Sequence, residues 1–417
     1  MMEGWKEYKL GEIVDLKQGF ALNKKSNHYL AKDNKGLPLL KISDLKNGTE
    51  TLFVKENIPK QFIVTPSEII YSRTGQVGLA FMGKTGVVYN NCFKVIPREM
   101  VYSVFLYQWL NTSFVRTTIS ALATGSAQPD LNHGAFKCVK INLPPLKTQR
   151  KIASILSGYD DLIENNLKRI QLLEEQAQQT YEEWFVRFKF PGYENVEIDD
   201  LSGLPVGWEK KKIEDVIEVG RGSSPRPISN QKYFEGGTIP WLKIADATSS
   251  HIYIYETKLY VNDFGASFSR KLPKGSIVVA ASGTLGFPMI LGVEACIHDG
   301  WLYFKGIDDK LKEYFYFSFI GLKSYFESIS YGAAIQNINT GIVRQSPFIV
   351  PSEDISIKFK TFASKVFESI SNLQNQNQHL KEARDILLPR LMRMIDVDVL
   401  DVVESLGMVA EESEKYN

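Results

Sequence analysis

Two stretches of the chain carry apolar residues at alternating spacings of four and three, with almost nothing that breaks a helix. Between Gln149 and Phe188 the series is Ile152, Leu156, Tyr159, Ile163, Asn166, Ile170, Leu173, Ala177, Thr180 and Trp184. Between Ile357 and Met394 it is Phe359, Ala363, Val366, Ile370, Leu373, Asn377, Leu380, Arg384, Leu387 and Leu391. Gly158 and Pro389 are the only helix breakers in either stretch. An apolar period near 3.5 is the seam of a coiled coil, so the spacing predicts two long helices. One asparagine interrupts each stripe, Asn166 and Asn377, and the two face each other if the helices run antiparallel. That register sets Ile152 against Leu391, Leu156 against Leu387, Ile163 against Leu380, Ile170 against Leu373, Ala177 against Val366 and Trp184 against Phe359. Tyr159 then meets Arg384, with the guanidinium expected on the ring. A buried asparagine pair costs stability but disfavours every slipped register. At 1.5 Å per residue, about 40 residues give a rod of ~60 Å. The alternative is that both stripes belong to ordinary core helices.

The residues ahead of each helix show another pattern. Runs such as Ser67–Tyr71, Gly86–Tyr89, Ile252–Tyr255 and Ser276–Ala280 are β-branched or aromatic and bounded by Gly, Pro or Asn, which reads as short strands. They sit in two similar halves. Gly4-Trp5-Lys6 is echoed by Gly207-Trp208-Glu209 at an offset of 203, and Leu40-Lys41-Ile42-Ser43-Asp44 by Leu242-Lys243-Ile244-Ala245-Asp246 at 202. Gly125-Ser126-Ala127 and Asn132 correspond to Gly332-Ala333-Ala334 and Asn339 at 207. Matched blocks in one order with small insertions between them are the mark of a duplicated domain.

The predicted fold is therefore α+β: two similar α/β domains separated by two long helices in an antiparallel coiled coil, pseudo-two-fold symmetric. The divisions are residues 1–148, a first domain; 149–190, a spacer helix; 191–206, a linker; 207–353, a second domain; 354–395, a second spacer helix; and 396–417, an acidic tail. Charge varies with these divisions. The net value is +1, but residues 1–148 carry 19 Lys/Arg against 11 Asp/Glu, whereas the tail carries one base and seven acids. A basic first domain permits phosphate contact. No run of about 20 apolar residues suggests a membrane span, and the first residues lack a signal-peptide pattern. Cys92, Cys138 and Cys296 are far apart and odd in number, against a disulfide framework or a zinc site and in keeping with a reducing cytoplasm.

Leu143-Pro144-Pro145-Leu146-Lys147-Thr148-Gln149-Arg150-Lys151-Ile152 precedes the first helix, Trp184-Phe185-Val186-Arg187-Phe188 closes it, and Leu387-Leu388-Pro389-Arg390-Leu391-Met392 closes the second. These phrases resemble the helical regions of type I restriction–modification specificity subunits. The Gly-Trp openings, the Leu-Lys-Ile-x-Asp segments, read as strands, and Arg221-Gly222-Ser223-Ser224-Pro225-Arg226-Pro227 resemble that family's target recognition domains. The likeness covers nearly the whole chain except the tail from about Asp396. It implies a non-catalytic subunit in which each domain reads half of a split double-stranded DNA site and the helices fix the gap. The resemblance further implies that the same helices dock two modification (methyltransferase) subunits. S-adenosylmethionine, ATP and Mg are then expected only on the modification and restriction subunits, and no cofactor or metal on this chain. Because the two domains differ, the implied site is asymmetric.

Reading bases requires Arg, Lys, Asn, Gln, Ser and Thr in loops that reach groove edges. The first domain offers Lys17, Gln18, Lys24, Lys25, Arg73, Thr74, Gln76, Ser126 and Gln128 for DNA binding. The second offers Arg221, Ser223, Ser224, Arg226, Lys243, Ser282, Thr284, Gln336 and Asn339, with Arg221 and Arg226 foremost. Three motifs compete. Gly78-Leu79-Ala80-Phe81-Met82-Gly83-Lys84-Thr85 matches a phosphate-binding loop literally. The next residues, Gly86-Val87-Val88-Tyr89, read as a strand, so a hairpin with Gly83–Gly86 at its tip is expected. Asn142-Leu143-Pro144-Pro145 has the wrong order for an adenine methyltransferase motif. His298-Asp299 suggests acid–base work, but Asn90-Asn91 in the first half gives it no counterpart. A nucleotide-binding enzyme and a coiled-coil scaffold that never touches DNA remain the alternative functions.

Overall fold

In the computed structural model, which describes residues 4–32, 35–125, 128–247, 250–282, 286–329 and 338–393, the chain divides into two units. One comprises residues 1–163 and 379–417, the other 164–378. The division cuts both long helices, so each unit holds one mixed domain and a piece of helical pair.

The first unit contains strands β1 (Lys6–Lys9), β2 (Val14–Gln18), β3 (Leu37–Leu40), β4 (Phe53–Val54), β5 (Ile63–Val64), β6 (Ile69–Ser72), β7 (Ala80–Phe81), β8 (Gly86–Val88), β9 (Cys92–Pro97) and β10 (Lys140–Leu143). They form sheets in the orders β2-β9-β6-β7 and β4-β3-β8-β5, with β1 pairing antiparallel to β10. Strand β6 is buried throughout and sits inside its sheet, the setting in which β-branched and aromatic residues fit.

The second unit contains β11 (Glu209–Lys212), β12 (Glu218–Arg221), β13 (Ile239–Leu242), β14 (Tyr253–Ile254), β15 (Tyr260–Val261), β16 (Arg270–Leu272), β17 (Ile277–Ala280), β18 (Pro288–Leu291), β19 (Ala295–Ile297), β20 (Trp301–Lys305) and β21 (Pro347–Val350). Its sheets run β12-β20-β17-β18-β14 and β15-β13-β19-β16, with β11 antiparallel to β21. Apart from the added β14, the strand order is that of the first unit. Lys6 pairs with Leu143 and Glu209 with Val350, which reproduces the 203 and 207 offsets of the repeat.

Two expectations need correction. The Leu-Lys-Ile-x-Asp phrases are not strands throughout: β3 and β13 stop at Leu40 and Leu242, and short helices start at Ile42 and Ile244. The aspartates are buried there. Asp44 accepts hydroxyls from Thr49 and Thr51, both at 3.0 Å, and Asp246 accepts the amide of Lys243 at 2.8 Å. The phosphate-loop look-alike is not a hairpin either, because β7 and β8 belong to different sheets. The linker packs against the second domain: Phe190 and Leu204 are buried, and Phe190 stacks on Trp208 at 5.4 Å.

The first long helix spans Leu146–Tyr181, directly after Pro144-Pro145, and a π-helical turn continues it at Glu182–Val186. Proline is accommodated just ahead of a helix, where its missing N–H costs nothing. The second long helix spans Glu353–Arg393. In the first unit Ile152, Leu156, Leu387 and Leu391 are buried in one core. In the second, Ile170, Ala177, Val366, Ile370 and Leu373 are.

The asparagine register holds. Asn166 Nδ2 donates to Asn377 Oδ1 at 3.0 Å, and both residues are buried. Trp184 lies 5.8 Å from Phe359, ring to ring. Arg384 departs from expectation. Its guanidinium goes to Asp160 at 2.7 Å and to Asp385 at 3.0 Å, not to the Tyr159 ring. A charge-assisted hydrogen bond outweighs attraction to a ring face, and Asp160 is fixed besides by Gln108 at 2.7 Å. Near the helix end Tyr181 and Phe185, outside the predicted stripe, are the buried residues. An α-helix drifts about 20° per heptad against a strict seam, and here the drift turns both rings onto Phe317 and Tyr314. All three cysteines are free.

Candidate nucleic-acid interface

Each domain presents the same edge, where the strand carrying Gln18 or Arg221 ends beside a tight loop. A glycine comes next in both cases because the backbones nearly touch. A Cβ on Gly19 would stand 2.2 Å from the carbonyl oxygen of Tyr89, and one on Gly222 would stand 2.2 Å from that of His298. Only glycine permits that approach.

This contact corrects the sequence alignment of the halves. Tyr89 N donates to Leu40 O at 3.2 Å and His298 N to Leu242 O at 3.0 Å. Val88 and Ile297 hold the same places beside β3 and β13. His298-Asp299 therefore stands at Tyr89-Asn90, one residue from the position predicted. With that shift, Gln18 and Arg221 do the same thing. Gln18 Nε2 donates to Asn90 O at 2.9 Å, and Arg221 Nε donates to Asp299 O at 2.7 Å.

In the first domain an aspartate gathers the polar side chains. Arg73 donates Nε and Nη2 to Asp130 at 3.1 and 2.6 Å, and Nη1 to Gln18 Oε1 at 2.9 Å. Thr74 Oγ1 donates to Asp130 at 2.5 Å. The hydrogen bond from Arg73, and after it that from Thr74, holds the Asp130 carboxyl below its ordinary range. In the second domain the acid is Asp299. Its Oδ1 accepts Ser224 Oγ at 3.0 Å and His298 Nε2 at 2.8 Å, and its Oδ2 accepts Arg226 Nη2. His298 Nδ1 in turn accepts the Gly300 amide at 2.9 Å. Both ring nitrogens are thus engaged in the neutral form, and burial pushes the imidazole pKa down, with the charges of Lys243, Arg226 and Arg221 adding and Asp299 opposing. This is a strut, not an acid–base catalyst.

The remaining candidates differ in exposure and in what they touch. Lys17, Lys24, Lys25 and Gln128 are exposed. Gln76 is exposed and accepts from Lys46 at 3.1 Å. Ser223 is exposed, Ser282 half-buried, and the Lys243 ammonium lies 5.2 Å from the centre of the Trp241 ring. Asn339 caps the helix Thr340–Gln345 by accepting the Ile342 amide at 2.9 Å. Ser126, Thr284 and Gln336 lie outside the described residues. Asp130, His298 and Asp299 were not among the predicted site residues. The available signal was chemical: an arginine-flanked loop needs an acid, but the partner lies 73 residues away for Arg226 and 57 for Arg73.

The glycine-rich loop at residues 78–85 has no phosphate cradle. The Gly78 amide is given to Ser72 O at 3.3 Å and the Gly83 amide to Pro66 O at 3.0 Å. Lys84-Thr85 leads into strand β8, where a phosphate loop would lead into a helix. Among the described residues, no group of three or more His, Cys, Asp or Glu is placed to hold a metal ion, and no helix is long and apolar enough to cross a membrane.

Comparison with known proteins agrees with the duplicated architecture. The family model for the type I restriction modification DNA specificity domain matches twice, over residues 2–175 and 205–382. The type I restriction enzyme MjaIX specificity subunit of Methanocaldococcus jannaschii is 27% identical over 407 residues, covering 93% of this chain and 92% of that one. The HindI specificity subunit of Haemophilus influenzae is 24% identical, covering 94% and 99%. The solved S subunit of a type I restriction-modification system from M. genitalium shares the fold, with a TM-score of 0.58 at 15% identity over 94% of this chain and 97% of that one. The chain belongs to the type I restriction–modification DNA specificity family and is a specificity subunit carrying the family's domain twice.

Proposed function

We infer that this subunit reads a bipartite, asymmetric double-stranded DNA site, one half with each domain, and docks two modification (adenine methyltransferase) subunits and the restriction subunits. The observation that carries the reading is the pair of reading edges. They are built on one strand order but carry different side chains, Gln18, Arg73 and Asp130 in one and Arg221, Arg226 and Asp299 in the other. Similar scaffolds with different side chains suit two unlike half-sites. Lys17, Lys24, Lys25 and Gln128 in the first domain, and Arg221, Ser223 and Arg226 in the second, are exposed and are the proposed DNA contacts. Arg73, Thr74 and Asn339 have structural duties and contribute through the neighbours they hold.

The two long helices set the gap between half-sites, since a bipartite site demands fixed separation and helical phase. The subunit works in the cytoplasm and performs no chemistry of its own. S-adenosylmethionine, ATP and Mg are bound by its partners. The test is adenine methylation mapped across a genome carrying this gene with its modification partner, beside a strain lacking this gene alone. A gapped, asymmetric motif methylated only when the gene is present is the expected result. An unchanged pattern with the modification subunit expressed would sink the reading.

A further inference from the structure

Arg73 and Arg226 are each paired with an aspartate, yet they keep different capacities in reserve. All three nitrogens of the Arg73 guanidinium are committed, to Asp130 and to Gln18, and its side chain is 23% exposed. Arg226 gives Asp299 a single amino group, and its side chain is 65% exposed. The rest of its five-donor fork meets no acceptor among the described residues.

The carboxylate behind Arg226 cannot swing away. Ser224 and His298 hold one oxygen of Asp299, and Gly300 holds His298 from its far side. Arg221, bonded to the backbone oxygen of Asp299, braces the same loop. An arginine clamped at one corner and open elsewhere is suited to a planar pair of acceptors. Guanine offers such a pair, N7 and O6, on its major-groove edge. Holding the arginine in advance removes rotamer freedom that a long side chain otherwise loses on binding.

We propose that Asp299 is a positioning residue that aims Arg226 at a guanine in the half-site read by the second domain. The proposal rests on the reading of the chain as the reader of a bipartite site. It separates the two domains chemically: Arg226 reads, and Arg73, closed on Asp130 and Gln18, only supports.

The test uses the full chain assembled with its modification partner, genomic DNA free of adenine methylation, and S-adenosylmethionine, with methylated positions mapped by sequencing. Asp299→Asn and Arg226→Lys should each relax the preference at one guanine of one half-site by about 5- to 150-fold, the discrimination of one good bidentate contact. The other half-site and the gap should stay as they are. Arg226→Lys keeps the charge and the ion pair, so it decides the matter if Asp299→Asn does not assemble. An unaltered motif in Arg226→Lys overturns the proposal, as does equal loss at every position of both half-sites. A wild-type complex that yields no gapped motif overturns the underlying reading as well, whereas a normal wild-type motif beside unaltered variants overturns this proposal alone.

Discussion

His298 ties electrostatics to loop geometry at the scale of one residue. Its folded pKa lies below the ordinary 6.5 because burial penalises the charged ring. Protonation would also turn Nδ1 from an acceptor into a donor facing the Gly300 amide. Linkage fixes the sign: the stability contributed by the neutral ring is complete above about pH 6.5 and is lost as pH falls through the lowered folded value. Melting temperatures of wild type and His298→Gln between about pH 5 and pH 8 should therefore converge toward the acid end. A difference that stays constant across that range would count against the role. His133, whose pKa burial also lowers, is present in both proteins and drops out of the comparison. The histidine was visible in the sequence, but its role was not. Aligning the halves by residue type put it one step away from Tyr89, and only strand register and the carbonyl contacts of Gly19 and Gly222 place it correctly.

At the scale of elements, the helical pair was the most legible part of the chain. A seam position recurs every three or four residues, so each local choice is checked by its neighbours, and Asn166 and Asn377 lock the phase. Strand pairing carries no such check. Nothing near Ile69 in the sequence says that it faces Val95 or that β3 lies parallel to β8. Arg384 was misplaced because the seam names its position but not which of its neighbours, Tyr159 or Asp160, will take the charge.

Among the described residues, the buried Nδ2 of Asn377 meets no hydrogen-bond partner. Asn377→Leu alone strands the Asn166 amide and should cost about 1–3 kcal/mol. Asn166→Leu with Asn377→Leu should recover that loss and exceed wild-type stability, at the expense of register specificity. Thermal unfolding of the two single variants and the double variant gives the coupling between the positions. Additive single effects would show that the two amides do not act together.

For the whole molecule, the duplicated order of blocks at offsets of 203 to 207 announced the architecture, because insertions between blocks shift an offset without disturbing order. The sequence could not tell which loops share an edge, since Asp130 and Asp299 reach their arginines across 57 and 73 residues. If the long helices set the gap, adding one heptad to each at facing positions, both on the same side of the Asn166–Asn377 pair, should keep the seam and lengthen the tolerated gap. Seven residues add about 10 Å, close to three base pairs. Methylation mapping should then show the same half-sites with a wider spacer. Altered half-site bases with an unchanged spacer would refute the ruler.

The strands that open and close each domain pair with each other, β1 with β10 and β11 with β21. The two ends of a domain thus leave it side by side, whatever lies between them. A gene segment encoding everything between Lys6 and Leu143, or between Glu209 and Val350, is in that sense a cartridge with adjoining terminals. If each domain reads one half-site as proposed, exchanging one cartridge for a relative's should change what is read while leaving the helices as they were. On that reading, a new recognition sequence would need only recombination inside one gene, with no matching change in the enzymes that act on it.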